Sequence, residues 1–186
     1  MLWLTIPGVE EWDSVKEEFV TVIKEHTLQL EHSLVALSKW ESKWCKPFLA
    51  QDTTTFEETI DYVRCMTITQ NIDPKVYQYL TDDNIRTVKD YIDAKMTATW
   101  FSENATKIKK GKRGNEIVTS ELIYFWMIAY NIPSEYQKWH LNRLLTLIQV
   151  CEVKNNPDKK KMSMNEIYSQ QRSLNEARRK AAKARK

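Results

Sequence analysis

Catalysis needs convergent groups, and the residues that could supply them here are few. The chain has three histidines, His26, His32 and His140, and three cysteines, Cys45, Cys65 and Cys151. His140 follows Trp139 and could act as a general base, yet the nearest nucleophile in sequence is Cys151, eleven residues on and three helical turns away. His26 and His32 stand six apart, which places both on one face if that stretch is a strand, but no third ligand accompanies them at metal-binding spacing. No Cys-x-x-Cys pair occurs, so three reduced, mostly buried thiols are expected and structural zinc is not. No cofactor is expected and the chain reads as a non-enzyme.

Phosphate loops need clustered glycine, and this chain has three, at positions 8, 111 and 114. "KKGKRGN" carries two of them among four cations without nucleotide-loop spacing, and reads as a solvated surface loop. A third chemistry is base reading: Gln137, Asn142 and Arg143 lie in "SEYQKWHLNRLL" much as polar residues do on a DNA-recognition helix. The same stretch holds a stripe of Leu141, Leu144, Leu145 and Ile148, which leaves Lys138, Asn142 and Gln149 outside, and any amphipathic helix looks like that.

The elements that position these residues fall into two classes. "LWLTI", ended by Pro7-Gly8, reads as an opening strand, and "EFVTVI" has the same β-branched character. In "TLQLEHSL", Leu28, Leu30 and His32 alternate with polar residues at period two. A small antiparallel sheet is therefore expected, with one long helix from Val9 to Lys43 as the competing reading. From Leu34 onward the period becomes helical, with Leu37, Trp40 and Trp44 on one stripe and Pro47 closing the helix. A capping box, Thr55 to Glu58, opens the next helix, whose apolar side is read as Phe56, Ile60, Val63 and Ile68. Asp73-Pro74 and Thr81-Asp82-Asp83 start two more. Residues 96–101, "MTATWF", suit a short strand or an extended connector, and residues 102–116 a loop.

"ELIYFWMIAY" is apolar nearly all round. Leu122, Phe125, Trp126 and Ala129 can face a core, which sends Tyr124, Met127 and Tyr130 elsewhere. Residues 131–134 then turn the chain into a second helix expected from Ser134 or Glu135 to about Val153. Ser163 to Glu166 can cap a last, polar helix with too little apolar surface to fold alone, so it is expected to be mobile until a partner covers it. The fold class is thus α+β and mainly α-helical: a small N-terminal β element (1–33), a helical part (34–153), and a basic C-terminal helix or tail (154–186).

Charge divides the same way. The chain is +3 overall, but residues 154–186 hold 11 Lys or Arg against 3 Asp or Glu, leaving residues 1–153 with 17 against 22. A mildly acidic body with a cationic arm attracts phosphate, acidic protein surfaces or anionic membranes without specifying which. No membrane span or secretory leader is seen, and a cytoplasmic protein is expected.

"TLQLEHSLVALSKWESKW", "CMTITQNIDPKVYQYLTDDN", "MTATWFSE" and "ELIYFWMIAYNIPSEYQKWHLNRLLTLIQVCEVKN", followed by a basic tail, together resemble a family of small tailed-bacteriophage proteins of the tail-morphogenesis region, the tail assembly chaperones. The resemblance covers about residues 1–175. It implies a non-catalytic assembly factor of the host cytoplasm that binds the long, helical tape measure protein, keeps it soluble and helps recruit tail tube subunits. Contacts would then be helix in groove, with Trp126, Tyr130, Trp139 and Arg143 near the surface and Arg172, Arg178, Arg179, Lys180, Lys183 and Arg185 forming a basic tail. Two other readings stay open: a structural phage component such as a head–tail connector or minor tail protein, and a protein that binds nucleic acid through that tail.

Overall fold

A computed structural model describes residues 1–51, 53–99, 112–113, 116–155 and 172. The chain separates into two compact units, Met1–Cys151 and Glu152–Lys186. The first is α+β and mainly α-helical, with antiparallel strands at its N-terminus followed by helices.

Four strands, β1 (Leu2–Ile6), β2 (Val9–Asp13), β3 (Glu18–Ile23) and β4 (His26–Leu30), form one long two-stranded ribbon interrupted midway. β1 pairs with β4 from Leu2↔Leu30 to Ile6↔His26, and β2 meets β3 at Val9↔Ile23 in the same register, before a bulge between Val9 and Glu10 shifts it by one. The interruption has a chemical cause. Pro7 has no N–H for the ladder, and the chain passes so close at Gly8 that a Cβ there would sit 3.2 Å from the Glu25 nitrogen. Strand β2 replaces the long helix considered from Val9: alternation over Val9–Asp13 is weak because, beyond Val9, that half of the ribbon faces neither core among the described residues.

The proximal half is half-buried in the ordinary way. Leu4, Ile6, Leu28 and Leu30 turn inward, while Trp3 and Thr5 face out. The second edge of β4 is taken by the chain after α2 (Phe56–Met66): the Glu31 N–H donates to the Met66 carbonyl at 2.9 Å and the Ile68 N–H to the Gln29 carbonyl at 2.8 Å.

Helix α1 (Leu34–Trp44) is shared by two apolar cores. Ala36 and Trp40 pack with the proximal ribbon, α2 and α3 (Asp82–Asp93), through Tyr62, Val63, Met66, Val88 and Tyr91. Leu34 and Leu37 pack with Val118, α4 (Ser120–Ala129) and α5 (Leu141–Asn155), through Ile123, Trp126, Met127, Leu141, Leu144 and Ile148. The capping box expected at Thr55 is formed, and the cap expected at Thr81 is also a capping box, with Asn84 as its reciprocal partner.

Several expected faces are rotated. Phe56 and Ile68 are exposed, and α2 instead buries Tyr62, Val63 and Met66 with the carboxylates Glu58 and Asp61. Those carboxylates are tolerated because α1 and the chain just after it supply donors: Lys43 Nζ reaches Asp61 at 2.5 Å, the Trp44 indole N–H donates to Asp61 at 3.0 Å, and Lys46 Nζ reaches Glu58 at 2.6 Å. Residues 96–99 form no strand, and the rest of that segment lies outside the described residues. Within the expected loop, Lys112–Arg113 (β5) and Glu116–Ile117 (β6) pair antiparallel. Of the cysteines, Cys45 is exposed rather than buried, while Cys65 and Cys151 are half-buried.

Glu41 is the polar residue on which the packing turns. Its side chain is buried, with Oε1 accepting the Phe48 N–H at 3.0 Å and Oε2 the Ser120 N–H at 2.7 Å. Ser120 opens α4, where free amides and the helix dipole both favour an anion. Replacing Glu41 by Ala leaves two N–H groups without their acceptor, and a loss of about 3 kcal/mol in urea unfolding is expected, with Glu41→Gln losing roughly half as much because one carbonyl remains. The C-cap of α1 gives an opposite case: Cys45 adopts φ 51°, a left-handed conformation that glycine takes without strain. Cys45→Gly is therefore expected to raise stability by about 0.5–1 kcal/mol in the same assay.

Candidate interaction surface and the histidine joint

The segment 124–145 is not two simple helices. After α4, Asn131 takes φ 51° and its N–H closes on the Ile128 carbonyl at 3.1 Å. Residues Ser134–Lys138 then form a 3₁₀ turn, Trp139 is extended, and only at Leu141 does α5 begin. The expected single helix from Ser134 is broken because His140 is held elsewhere.

Ser33 and His140 pair as an isolated antiparallel bridge, and the Leu141 N–H donates to the His32 carbonyl at 2.7 Å. The His140 ring is buried, with Nε2 3.0 Å from the Tyr91 carbonyl and Nδ1 3.3 Å from the Asn142 N–H. A carbonyl only accepts and an amide N–H only donates, so the ring is neutral with its proton on Nε2. Its Nδ1 thereby serves as the side-chain cap of α5. His32 is buried edge-on to His140, ring centroids 5.1 Å apart, and its Nδ1 shares a hydrogen bond with the Tyr62 hydroxyl at 2.6 Å.

Burial, and then the neighbouring His140, lower the pKa of His32 to about 3. Burial also lowers His140, opposed by its bond to the Tyr91 carbonyl. Neither is presented to a substrate, and the two act as a packing joint between the N-terminal segment and α5. His26 is half-buried and bonds the Lys24 carbonyl through Nδ1 at 2.7 Å, apart from His32, which lies past the end of β4. Among the described residues no group of three or more His, Cys, Asp or Glu side chains could hold a metal ion.

The four residues expected at a partner surface separate. Trp126 is 7% exposed and belongs to the second core. Tyr130 is half-buried at the end of α4. Trp139 and Arg143 are brought together, with the guanidinium carbon 4.0 Å from the ring centroid, and Tyr136 stacks on the same indole at 4.1 Å. Arg143 is exposed, so its donors face outward from a prearranged stack. Of the basic tail, Arg172 is helical and exposed, while Arg178, Arg179, Lys180, Lys183 and Arg185 lie outside the described residues.

Two corrections define the surface further. Phe125 faces out at 61% exposure, while Met127 takes the core position. Asn142 turns inward rather than toward solvent: its Nδ2 donates to the Ile92 and Ala94 carbonyls, each at 2.8 Å, fixing the end of α3. It is thereby withdrawn from any base-reading role. With Phe125 outward, Glu121, Phe125, Ile128 and Ala129 form one exposed stripe of α4 at helical spacing, Ile128 being 76% exposed. Sequence periodicity missed this stripe because α4 is apolar on every side, so no moment marks its outer face. No helix among the described residues is long and apolar enough to cross a membrane. No protein-family model, characterised protein or solved structure matches the chain.

The histidine joint sets a pH dependence. Unfolded His32 takes a proton below about pH 6.5, whereas the folded side chain resists protonation until about 3. Protons therefore favour the unfolded state across that interval, by up to about 1.4 kcal/mol per pH unit for this histidine. Stability is expected to fall from pH 6.5 downward in chemical denaturation. In His32→Asn, whose amide can still bond the Tyr62 hydroxyl, the fall over the same interval should be shallower.

Proposed function

We propose that the protein is a tail assembly chaperone that binds the phage tape measure protein and keeps it soluble while the tail forms. The observation that carries this reading is the α4 stripe, where Phe125 and Ile128 stand 61% and 76% exposed on a helix whose other faces are packed. Large apolar side chains at consecutive helical turns match the stripe of an amphipathic client helix laid alongside. A long helical client repeats such stripes, and several copies of a small chaperone bound along it gain by proximity to their neighbours.

The chemistry of the described residues supports binding over turnover. The buried histidines are occupied as caps and packing groups, and Arg143 is fixed on Trp139 with its donors free to meet a client carboxylate. In this reading the client supplies apolar residues to the α4 stripe and an acidic group to Arg143.

Co-expression with the tape measure protein of the same phage provides the test. The client should appear in the soluble fraction with the wild-type chain and return to the pellet with a Phe125→Ser/Ile128→Ser double variant. That variant should unfold at nearly the wild-type denaturant concentration, since both side chains lie outside the cores. A client equally insoluble with and without the wild-type protein would end the chaperone reading.

A further inference from the structure

The distal half of the N-terminal ribbon, β2 and β3 with the turn between them, has large apolar side chains and, among the described residues, almost nothing under them. Trp12 is 54% exposed, Phe19 68%, Val22 44% and Val15, at the tip, 93%. Trp12 and Phe19 are direct partners in the ladder and meet edge to face, ring centroids 5.1 Å apart. Five residue pairs at about 3.4 Å each make an arm roughly 17 Å long, anchored where Val9 and Ile23 join the first core. Asp13 accepts the Val15 N–H at 2.9 Å and Glu17 takes φ 54°, so the turn is defined.

Charge says what this arm receives. Residues 9–25 contain six acids, Glu10, Glu11, Asp13, Glu17, Glu18 and Glu25, against Lys16 and Lys24. Glu10, Glu11, Glu17 and Glu18 are all exposed, and none forms an ion pair with another described residue. Glu10 stands two residues from Trp12 in the same strand and so shares its face. An aromatic pair with the Glu10 carboxylate on its face, in an arm of net negative charge, is the complement of a planar cation, which stacks on the ring while its N–H groups meet carboxylate oxygens.

We propose that this arm is a docking site for an arginine-bearing segment of a partner protein, laid across the Trp12–Phe19 face. The proposal deepens the reading of the protein as a binding factor by adding a contact separate from the α4 stripe. Its test uses no tape measure protein, so each can fail without the other.

The full-length chain is titrated with a fluorescent peptide of alternating Arg and Leu, and with Ser-Leu and Glu-Leu peptides of equal length. The Arg peptide should bind, the other two should bind at least about tenfold more weakly, and affinity should fall as salt rises. Trp12→Ala is expected to weaken the Arg peptide about tenfold, and Glu10→Gln a few-fold with the arm left intact, whereas Asp82→Asn on α3 should change nothing. Equal binding of the Ser-Leu peptide, or Arg-peptide affinity unmoved by both Trp12→Ala and Glu10→Gln, would overturn the proposal. So would self-association through the arm, seen as a concentration-dependent mass abolished by Trp12→Ala, because it names a second copy as the occupant.

Discussion

A buried carboxylate without a cation beside it is stable only where N–H donors converge on it. Glu41 meets that condition by holding two segments that are distant in sequence, the Phe48 amide just after α1 and the Ser120 amide at the start of α4. Much of the helical part depends on this arrangement. With α4 tethered by its first turn, Ile123, Trp126 and Met127 are delivered against Leu34 and Leu37, one side of α1. The other side is fastened to α2 by the pairing of Lys43 and Lys46 with Asp61 and Glu58 and by the Trp40 indole N–H, which donates to the Glu58 carbonyl at 3.0 Å. One helix thus serves two cores because its polar residues are satisfied by both neighbours.

The histidine joint closes the same structure from the other end. His32 follows the end of the ribbon and His140 directly precedes α5, and each contributes its backbone as well as its ring. Backbone pairing fixes where α5 starts, and the neutral rings fill the space between Tyr62 and Tyr91 without demanding a counter-ion. Charging either ring would place a cation beside the other in a site closed to water, which is why burial lowers both pKa values. A histidine pair in a sequence invites a catalytic reading. Here each ring nitrogen with a described partner is engaged by a tyrosine hydroxyl or by backbone.

Local chemistry made the element types readable. The capping residues Thr55, Asp73 and Thr81, the alternation of Leu28 and Leu30, and the three-and-four spacing of Leu37, Trp40 and Trp44 are signals carried within a few residues, and each corresponds to an element in place. What sequence did not reveal depends on partners far along the chain. Asn142 faces inward only because the end of α3, some 50 residues earlier, offers two carbonyls. Phe125 and Met127 exchange expected roles because α4 has no polar face by which its rotation could be read. The Trp139–Arg143 stack was legible as i, i+4 neighbours, although the helix that normally creates that spacing starts between them.

The ribbon shows how one local pattern can serve two ends. Proximal and distal halves are both two-stranded, and the register carries across the Pro7–Gly8 break as far as Val9↔Ile23, yet the first half lies on a core and the second, beyond that pair, packs on neither core among the described residues. A bare two-stranded ribbon is marginally stable in water, and exposed aromatics on it invite pairing with another copy. The carboxylates of the arm oppose that: two such arms laid together by the Trp12–Phe19 face would set Glu10 against its own duplicate, and the net charge of each arm, with only Lys16 and Lys24 against its acids, adds to the repulsion. The bulge at Val9/Glu10 adds twist and spoils a flat edge. Residues that repel a like arm are the same residues that attract a cation to Trp12 and Phe19, so a single charge pattern both keeps the arm single and selects the chemistry that can cover it.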